Sequence, residues 1–346
     1  MYVSRGLAPL ADFACGRRVD GTPLSLDDLS LWMSSVKPVT AVLIAQAWEE
    51  GLLELDDPVA RHLPAFARAG KERVTLRHLL THTAGLHRVS VSPREQSWDE
   101  VVEAVSAAAP EAGWVVGKQA AYTMAATWFV LGEVVQRLAG RPFAEHVRAA
   151  LYEPIGMGDS WIGMPLAAQE RYRGRFLDMT DTSSRGNGKP HAFADPARVA
   201  ICAPSGNAWG PVRELGYFYE MLLARGERAG VRVLSSQAVE ALTAPHRVGL
   251  FDETFRHRMD WGLGIIVNTL AAGRETQLRD TQPYGFGMHA SPRAFGHGGW
   301  QSSVAIADPE AGLVAVVVTN GTPGEARHAR RVRELMTALY ADLGLV

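Results

Sequence analysis

Apolar residues recur along this chain with two periods. Val42, Ala45 and Trp48 repeat at three-residue spacing and Leu43, Ile44 and Ala47 widen the face, which predicts a buried helix from about Ser34 to Glu50, stopped by Gly51. Ser97 precedes Val101, Val102, Ala104 and Val105 as the cap of another helix, residues 127–138 form a second apolar helix closed by Gly140, and 143–151 and 326–343 are further helical stretches. Residues 74–86 read as a short capped helix closed by glycine. Strand patterning gathers at the two chain ends. Residues 1–5 and 10–15 flank a turn at 6–9, and 261–267 read as one strand. Residues 295–300 read as an edge strand beside a cleft, 301–307 as its continuation, and 313–319 as a continuously apolar strand suited to a central position. Between them, 182–190 reads as an exposed loop.

Composition narrows the function classes. With 346 residues, 47% hydrophobic and 21% charged, the chain can bury a large core. A formal net charge of -2 without long runs of one sign argues against nucleic acid or an anionic membrane as partner. No apolar run approaches the roughly 20 residues that span a bilayer, and the first six residues lack the apolar core of a secretory leader, so a cytoplasmic location is expected. Cys15 and Cys202 are too few for a disulfide framework or a metal site and are expected to be buried.

Within the first helix the spacing Ser34-x-x-Lys37 carries chemistry. Positions i and i+3 are helical neighbours, so the lysine amine reaches the serine hydroxyl at the end where backbone N–H groups lack partners. A serine is a weak nucleophile until a neighbour takes its proton, and a lysine does so only when burial or positive charge lowers its pKa. The tetrapeptide alone is common on solvated helix starts. Here, however, only four of the 35 basic residues are lysines (Lys37, Lys71, Lys118, Lys189), so a lysine in an apolar setting stands out.

Several motifs in order, Ser34-x-x-Lys37-Pro-Val-Thr-Ala, Gly51-Leu-Leu-x-Leu-Asp-Asp-Pro-Val and Val74-Thr-Leu-Arg-His-Leu-Leu-Thr-His-Thr-x-Gly-Leu, resemble the serine β-lactamase-related family. That family holds class C β-lactamases, D-alanyl-D-alanine carboxypeptidases and aminopeptidases, family VIII esterases and acyltransferases of natural-product pathways. The resemblance implies an α/β (α+β) fold of the β-lactamase and penicillin-binding-protein type: an antiparallel sheet flanked by helices, beside a mostly helical subdomain. It divides one catalytic domain, 1–346, into a sheet part, about 1–30 and 245–346, and a helical part, about 31–244. Tyr122 matches the tyrosine of the family's Tyr-x-Asn element, where it relays the serine proton; Met124 stands where the asparagine would be, removing a polar arm for an acylamide. Leu151-Tyr-Glu-Pro-Ile-Gly-Met matches the turn Leu-x-x-Pro-Leu-Gly-Met. Trp209, in a segment departing from the family's Ser-Thr-Ala-x-Asp, is either pocket lining or ordinary packing. His297-Gly298-Gly299 takes the place of Lys-Thr-Gly, where several esterases carry His-x-Gly. Its glycines let substrate lie along the strand, and His297 supplies a donor, charged or neutral near physiological pH. The Trp300 N–H joins that of Ser34 as oxyanion donor.

These readings converge on a serine acyl-enzyme catalyst for a small-molecule ester or amide: Ser34 attacks, Lys37 and Tyr122 move protons, and His297 orients substrate. No metal and no organic cofactor are implied; His78-x-x-x-His82 has metal-ligand spacing but no acidic residue in the protease pattern. An esterase or acyltransferase is expected ahead of a β-lactamase or D-amino-acid peptidase. An α/β-hydrolase is set aside for want of a Gly-x-Ser-x-Gly elbow. A non-catalytic binding protein on the same scaffold is the rival of another class. Its argument is the short segment before Ser34, which would leave a sheet face for a partner subunit to cover, as in a homo-oligomer.

Overall fold

The two chain ends meet in one antiparallel sheet. In the computed structural model, which describes residues 1–18, 20–184, 188–268 and 286–346, its strands are β1 (Tyr2–Arg5), β2 (Ala8–Asp12), β3 (Asp260–Trp261), β4 (Ile266–Val267), β5 (Phe295–Gly299), β6 (Ser303–Asp308) and β7 (Leu313–Val318). Their order across the sheet is β3-β4-β5-β6-β7-β1-β2. Strand β7 is central, between β6 and β1, as its unbroken apolar run requires. Pro9 falls inside β2 at the sheet edge, where a missing N–H is tolerated.

Three strand expectations change. The stretch 261–267 is a hairpin, because Gly262 to Gly264 (φ 73° at Gly264) reverses the chain so that Trp261 pairs with Ile266. Residues 301–307 do not continue β5; Gln301 (φ 46°) turns the chain back and β6 pairs antiparallel with β5, Gly299 opposite Ser303. Strand β5 is an edge only along part of its length: Phe295 and Gly296 also pair with β4, while His297 to Gly299 pair with β6 alone and face the cleft on their other side.

The helices are α1 (Lys37–Glu49), α2 (Leu76–Leu80), α3 (Trp98–Ala107), α4 (Ala126–Ala139), α5 (Val212–Leu223) and α6 (Glu325–Asp342). Capping boxes start α2 (Thr75 with His78) and α3 (Ser97 with Glu100), and left-handed Gly140 ends α4. Helix α1 is buried on nearly every side, Lys37 to Ala45 without a break. Helix α5, although inside the stretch assigned to the helical part, lies against the sheet. A side chain at Gly216 would collide with the Tyr2 ring, and the Tyr2 hydroxyl donates to Glu220 at 2.6 Å. The core is continuous from the sheet through α1 and α4 to α2 and α3.

Neither cysteine is buried as expected: Cys15 is exposed and Cys202 half-buried, and both are free. Three residues of the loop expected at 182–190, namely 185–187, lie outside the described residues. No described helix is long and apolar enough to cross a membrane.

Candidate active site

Ser34 stands on a single 3-10 turn, Met33–Val36, that runs directly into α1 with Pro38 in its first turn. Met33 just before it adopts φ 50°, a left-handed conformation that costs a non-glycine residue about 1 kcal/mol or more. Two contacts hold the turn. Strand β5 runs so close that a side chain at Gly299 would collide with the Trp32 carbonyl and the Ser303 hydroxyl. Ser303 Oγ donates to the Trp32 carbonyl at 2.7 Å, and fully buried Ser35 donates to the His297 carbonyl at 3.1 Å with Ser303 Oγ 2.9 Å away. Ser35 is thereby a clamp between turn and strand, and Ser34 is the serine left at the surface of the cleft.

Lys37 lies fully buried one turn on. Its Nζ is 3.0 Å from Ser34 Oγ and 2.7 Å from the Ser205 carbonyl, and 5.1 and 5.6 Å from the ring centroids of Tyr122 and Trp128. Burial holds its pKa well below the ordinary lysine value, since a charged ammonium would have to shed its water. In the neutral form Ser34 O–H donates to Nζ, and an Nζ hydrogen goes to Ser205 O. Thr40 fixes that acceptor by donating to the adjacent Pro204 carbonyl at 3.1 Å. Buried Lys71 shows the contrast: its amine donates to three carbonyls, those of Arg68, Ser106 and Ala108, and touches no nucleophile.

Tyr122 reaches Ser34 from the other side, its phenol hydrogen-bonded to the serine. Burial raises its pKa more than that bond lowers it, so the phenol stays protonated. Its ring packs against His82 and Phe255, with centroids 4.7 and 4.8 Å away. The backbone is tied down as well: Tyr122 N–H donates to Asp252 Oδ1 at 3.1 Å, its carbonyl accepts from Thr254 Oγ1 at 3.0 Å, and Thr123 N–H donates to His82 Nδ1 at 3.0 Å. Asp252 in turn accepts from Arg247 Nη2 at 2.9 Å in an ion pair whose side chains are 0% and 1% exposed.

His297 departs from the expected role. It is buried, its Nδ1–H donates to the Gly298 carbonyl at 2.6 Å, and burial, to which a positive charge on Lys37 adds whenever that amine is protonated, pushes its pKa down to about 3. At neutral pH it is therefore an uncharged imidazole presenting a lone pair at Nε2, a buried atom with no protein partner. The glycines flanking it, Gly298 and Gly299, complete the cleft side of β5. Trp300 leaves the strand end with its indole 39% exposed and packed near His191 and Phe193. Ser34 N–H lies at the open start of the helical turn, and Trp300 follows directly on Gly299, whose strand runs against that turn.

Met124 follows Tyr122 at the rim and is 71% exposed. Trp209 does not line the pocket. It is 0% exposed, packs on Phe176 at 5.6 Å and donates its indole N–H to Asn207 at 3.1 Å, because its strand is enclosed by neighbours at Leu31 and Trp161. His78 Nδ1 is committed to the Thr75 cap, and among the described residues no group of His, Cys, Asp and Glu is placed to hold a metal ion.

The profile of the Beta-lactamase family matches residues 2–338. The chain belongs to the β-lactamase family. Among its relatives in that family, the esterase/beta-lactamase LipL of Mycobacterium tuberculosis is 24% identical over 326 residues, covering 88% of this chain and 72% of that protein. Esterase EstB of Burkholderia gladioli is 34% identical over 179 residues, which span 45% of this chain and 43% of that esterase. A penicillin-binding-protein homologue from Caulobacter crescentus superposes with a TM-score of 0.79 at 27% identity, covering 98% of this chain and 91% of its own.

Sequence reading of this family member missed Ser205, which acts through a backbone carbonyl, and the Arg247–Asp252 pair, which lies 130 residues from Tyr122. No residue-type signal marks the first. The second had a weak one, an uncharged run from Val248 to Phe251 between Arg247 and Asp252, masked by the charged residues that follow at 253, 256, 258 and 260.

Proposed function

We propose that the protein is a serine esterase or acyltransferase working through a Ser34 acyl-enzyme on a small-molecule ester. The observation that carries this is the 3.0 Å approach to Ser34 of a fully buried Lys37, whose pKa burial holds well below the ordinary lysine value. Lys37 takes the Ser34 proton as Oγ bonds to the ester carbonyl carbon, and the N–H groups of Ser34 and Trp300 receive the oxyanion. On collapse the ester C–O bond breaks, the Tyr122 phenol passes a proton to the departing alkoxide, and Lys37 replenishes it. Water or an acceptor alcohol then repeats the sequence in reverse to release the acyl group.

Two features support esters over β-lactams. Met124 supplies no amide to grip an acylamide side chain. His297 is uncharged and so exerts no ionic pull on the carboxylate that a cephalosporin carries near its scissile bond. The test pairs a fluorophosphonate probe, mapped by peptide mass, with kcat/KM for a short-chain aryl ester and a chromogenic cephalosporin. Label on Ser34 and faster ester turnover are expected; cephalosporin turnover equal to or above that of the ester reverses the ranking.

A further inference from the structure

A second cavity, of about 210 Å3, opens beside the nucleophile turn. Leu31, Met33, Phe193 and Ile201 give it apolar walls, and Arg94 and Arg198 bring two guanidinium groups to it. No aspartate or glutamate lines it. Arg94 is exposed, stacked over the Phe193 ring at 5.6 Å, and makes no ion pair among the described residues. Arg198 spends Nη1 on the His191 and Ala192 carbonyls, both at 2.9 Å, and its Nη2 has no protein acceptor among the described residues. Most other arginines around the fold are matched to a carboxylate, as Arg175 is to Asp159 and Arg213 to Asp27. Two cations converging on an apolar cavity without a counter-charge leave the local potential positive and two planar forks unfilled.

The cavity adjoins the catalytic groups at three places. Met33 precedes Ser34, Gly206 follows the Ser205 that holds Lys37, and Phe193 packs on Trp300, whose N–H is an oxyanion donor. Tyr122, Met124 and His297 are not among its walls. On the proposed mechanism the leaving group lies toward Tyr122 to receive a proton, so the cavity, which Met33 lines and Tyr122 does not, is left for the acyl half of the ester. Resting on the Ser34 acyl-enzyme reading, we propose that this cavity is an acyl pocket for chains that end in a carboxylate, with the methylenes against Met33 and Ile201 and the carboxylate on Arg94 and Arg198.

The test compares mono-4-nitrophenyl glutarate with its neutral methyl ester. The wild type is expected to favour the anionic ester by about tenfold or more in kcat/KM, the scale of one charge-assisted contact. Arg94→Gln should bring the ratio near one, and Arg94→Glu should invert it. Because Arg94 is exposed, neither change threatens the fold. Calorimetry with glutarate on Ser34→Ala protein gives a readout without turnover, and its binding should vanish when Arg94→Gln is added. Equal turnover of both esters by the wild type, or a preference that survives Arg94→Glu, overturns the pocket and leaves the Ser34 mechanism standing. Arg94-dependent glutarate binding with neither ester cleaved sustains the pocket and overturns the mechanism. Where the esters turn over, the ratio decides; where they do not, binding does.

Discussion

Replacing Lys37 by methionine separates catalysis from stability, because the structure assigns the amine opposite effects on the two. Lys37, the proposed base, is held against Ser34 at 3.0 Å, and the other partner of that serine, the Tyr122 phenol, keeps its own proton. General-base assistance is worth about 10²- to 10⁴-fold, so Lys37→Met is expected to lower kcat/KM for an aryl ester by about 10³, roughly 4 kcal/mol of barrier. For stability the sign runs the other way. The folded pKa of Lys37 is depressed, so between the folded value and the ordinary lysine value the unfolded chain binds a proton that the folded one refuses, and stability falls as pH drops through that window. Methionine keeps the stem and removes that penalty, losing the bond to Ser34 Oγ, which water can replace in the cleft, and the bond to Ser205 O, worth about 1 to 3 kcal/mol if that carbonyl is left unpaired. The variant should therefore melt at or above the wild-type temperature near pH 7 while nearly inactive. It should also lose the acidic limb of the kcat/KM profile, which in the wild type reports protonation of Lys37, His297 titrating too low, at about 3, to supply it. Calorimetric melting and a pH-rate series on the same preparations decide the matter. Turnover within tenfold of wild type with the acidic limb intact would refute the assignment of Lys37 as base.

Ser35→Ala should leave fluorophosphonate labelling of Ser34 in place but lower stability by about 1 to 3 kcal/mol, since it strips a buried bond from the clamp between the nucleophile turn and β5; labelling that disappears with the fold intact would make Ser35 the nucleophile. Asp252→Ala strands the buried Arg247 guanidinium and the N–H groups of Tyr122, Thr254 and Phe255, a loss of about 3 to 5 kcal/mol that urea unfolding measures; a change under 1 kcal/mol would show the pair to be dispensable. His297, neutral in the fold down to about pH 3 but protonated in the unfolded chain below about 6.5, makes stability fall as pH falls through that window, by about 2 kcal/mol at pH 5. His297→Gln should reduce the loss between pH 7 and 5 by about 2 kcal/mol, leaving the shares of His82 and His328, and an unchanged slope would mean that the imidazole takes its proton in the fold.

Periodicity and caps made the helices legible, because α1, α3 and α4 are fixed by local apolar spacing and by Ser97 or Gly140 at their ends. The sheet was legible as strands but not as turns. The hairpin at Gly262 to Gly264 and the reversal at Gln301 depend on positive φ values that a glycine permits without announcing and a glutamine conceals. In the site, Ser34, Lys37 and Tyr122 were readable as residue types at meaningful places. Their environment was not. That His297 is an acceptor rather than a cation follows from burial and from the Gly298 carbonyl, and that Trp209 is packed away follows from strands distant in sequence.

The charge states taken together bear on what the cleft accepts. Burial holds Lys37, His297 and the neighbouring His82 below their usual pKa and Tyr122 above its own, so each is biased toward its uncharged form. The nearest full charges, Arg247 and Asp252, cancel each other. Around Ser34 that bias favours dipoles over ions in the resting cleft. On the proposed mechanism the reaction makes an ammonium on Lys37 and an oxyanion facing the Ser34 and Trp300 amides. In a water-poor pocket such a pair attracts more strongly than it would in solution. A substrate that brought its own carboxylate against these groups would find no counter-charge and would have to shed its water for nothing. An anionic substrate is productive only if its charge is carried past Met33 to the guanidinium groups of Arg94 and Arg198, which are the unmatched cations on that side. Selection among esters is then set by where a charge lies along the acyl chain.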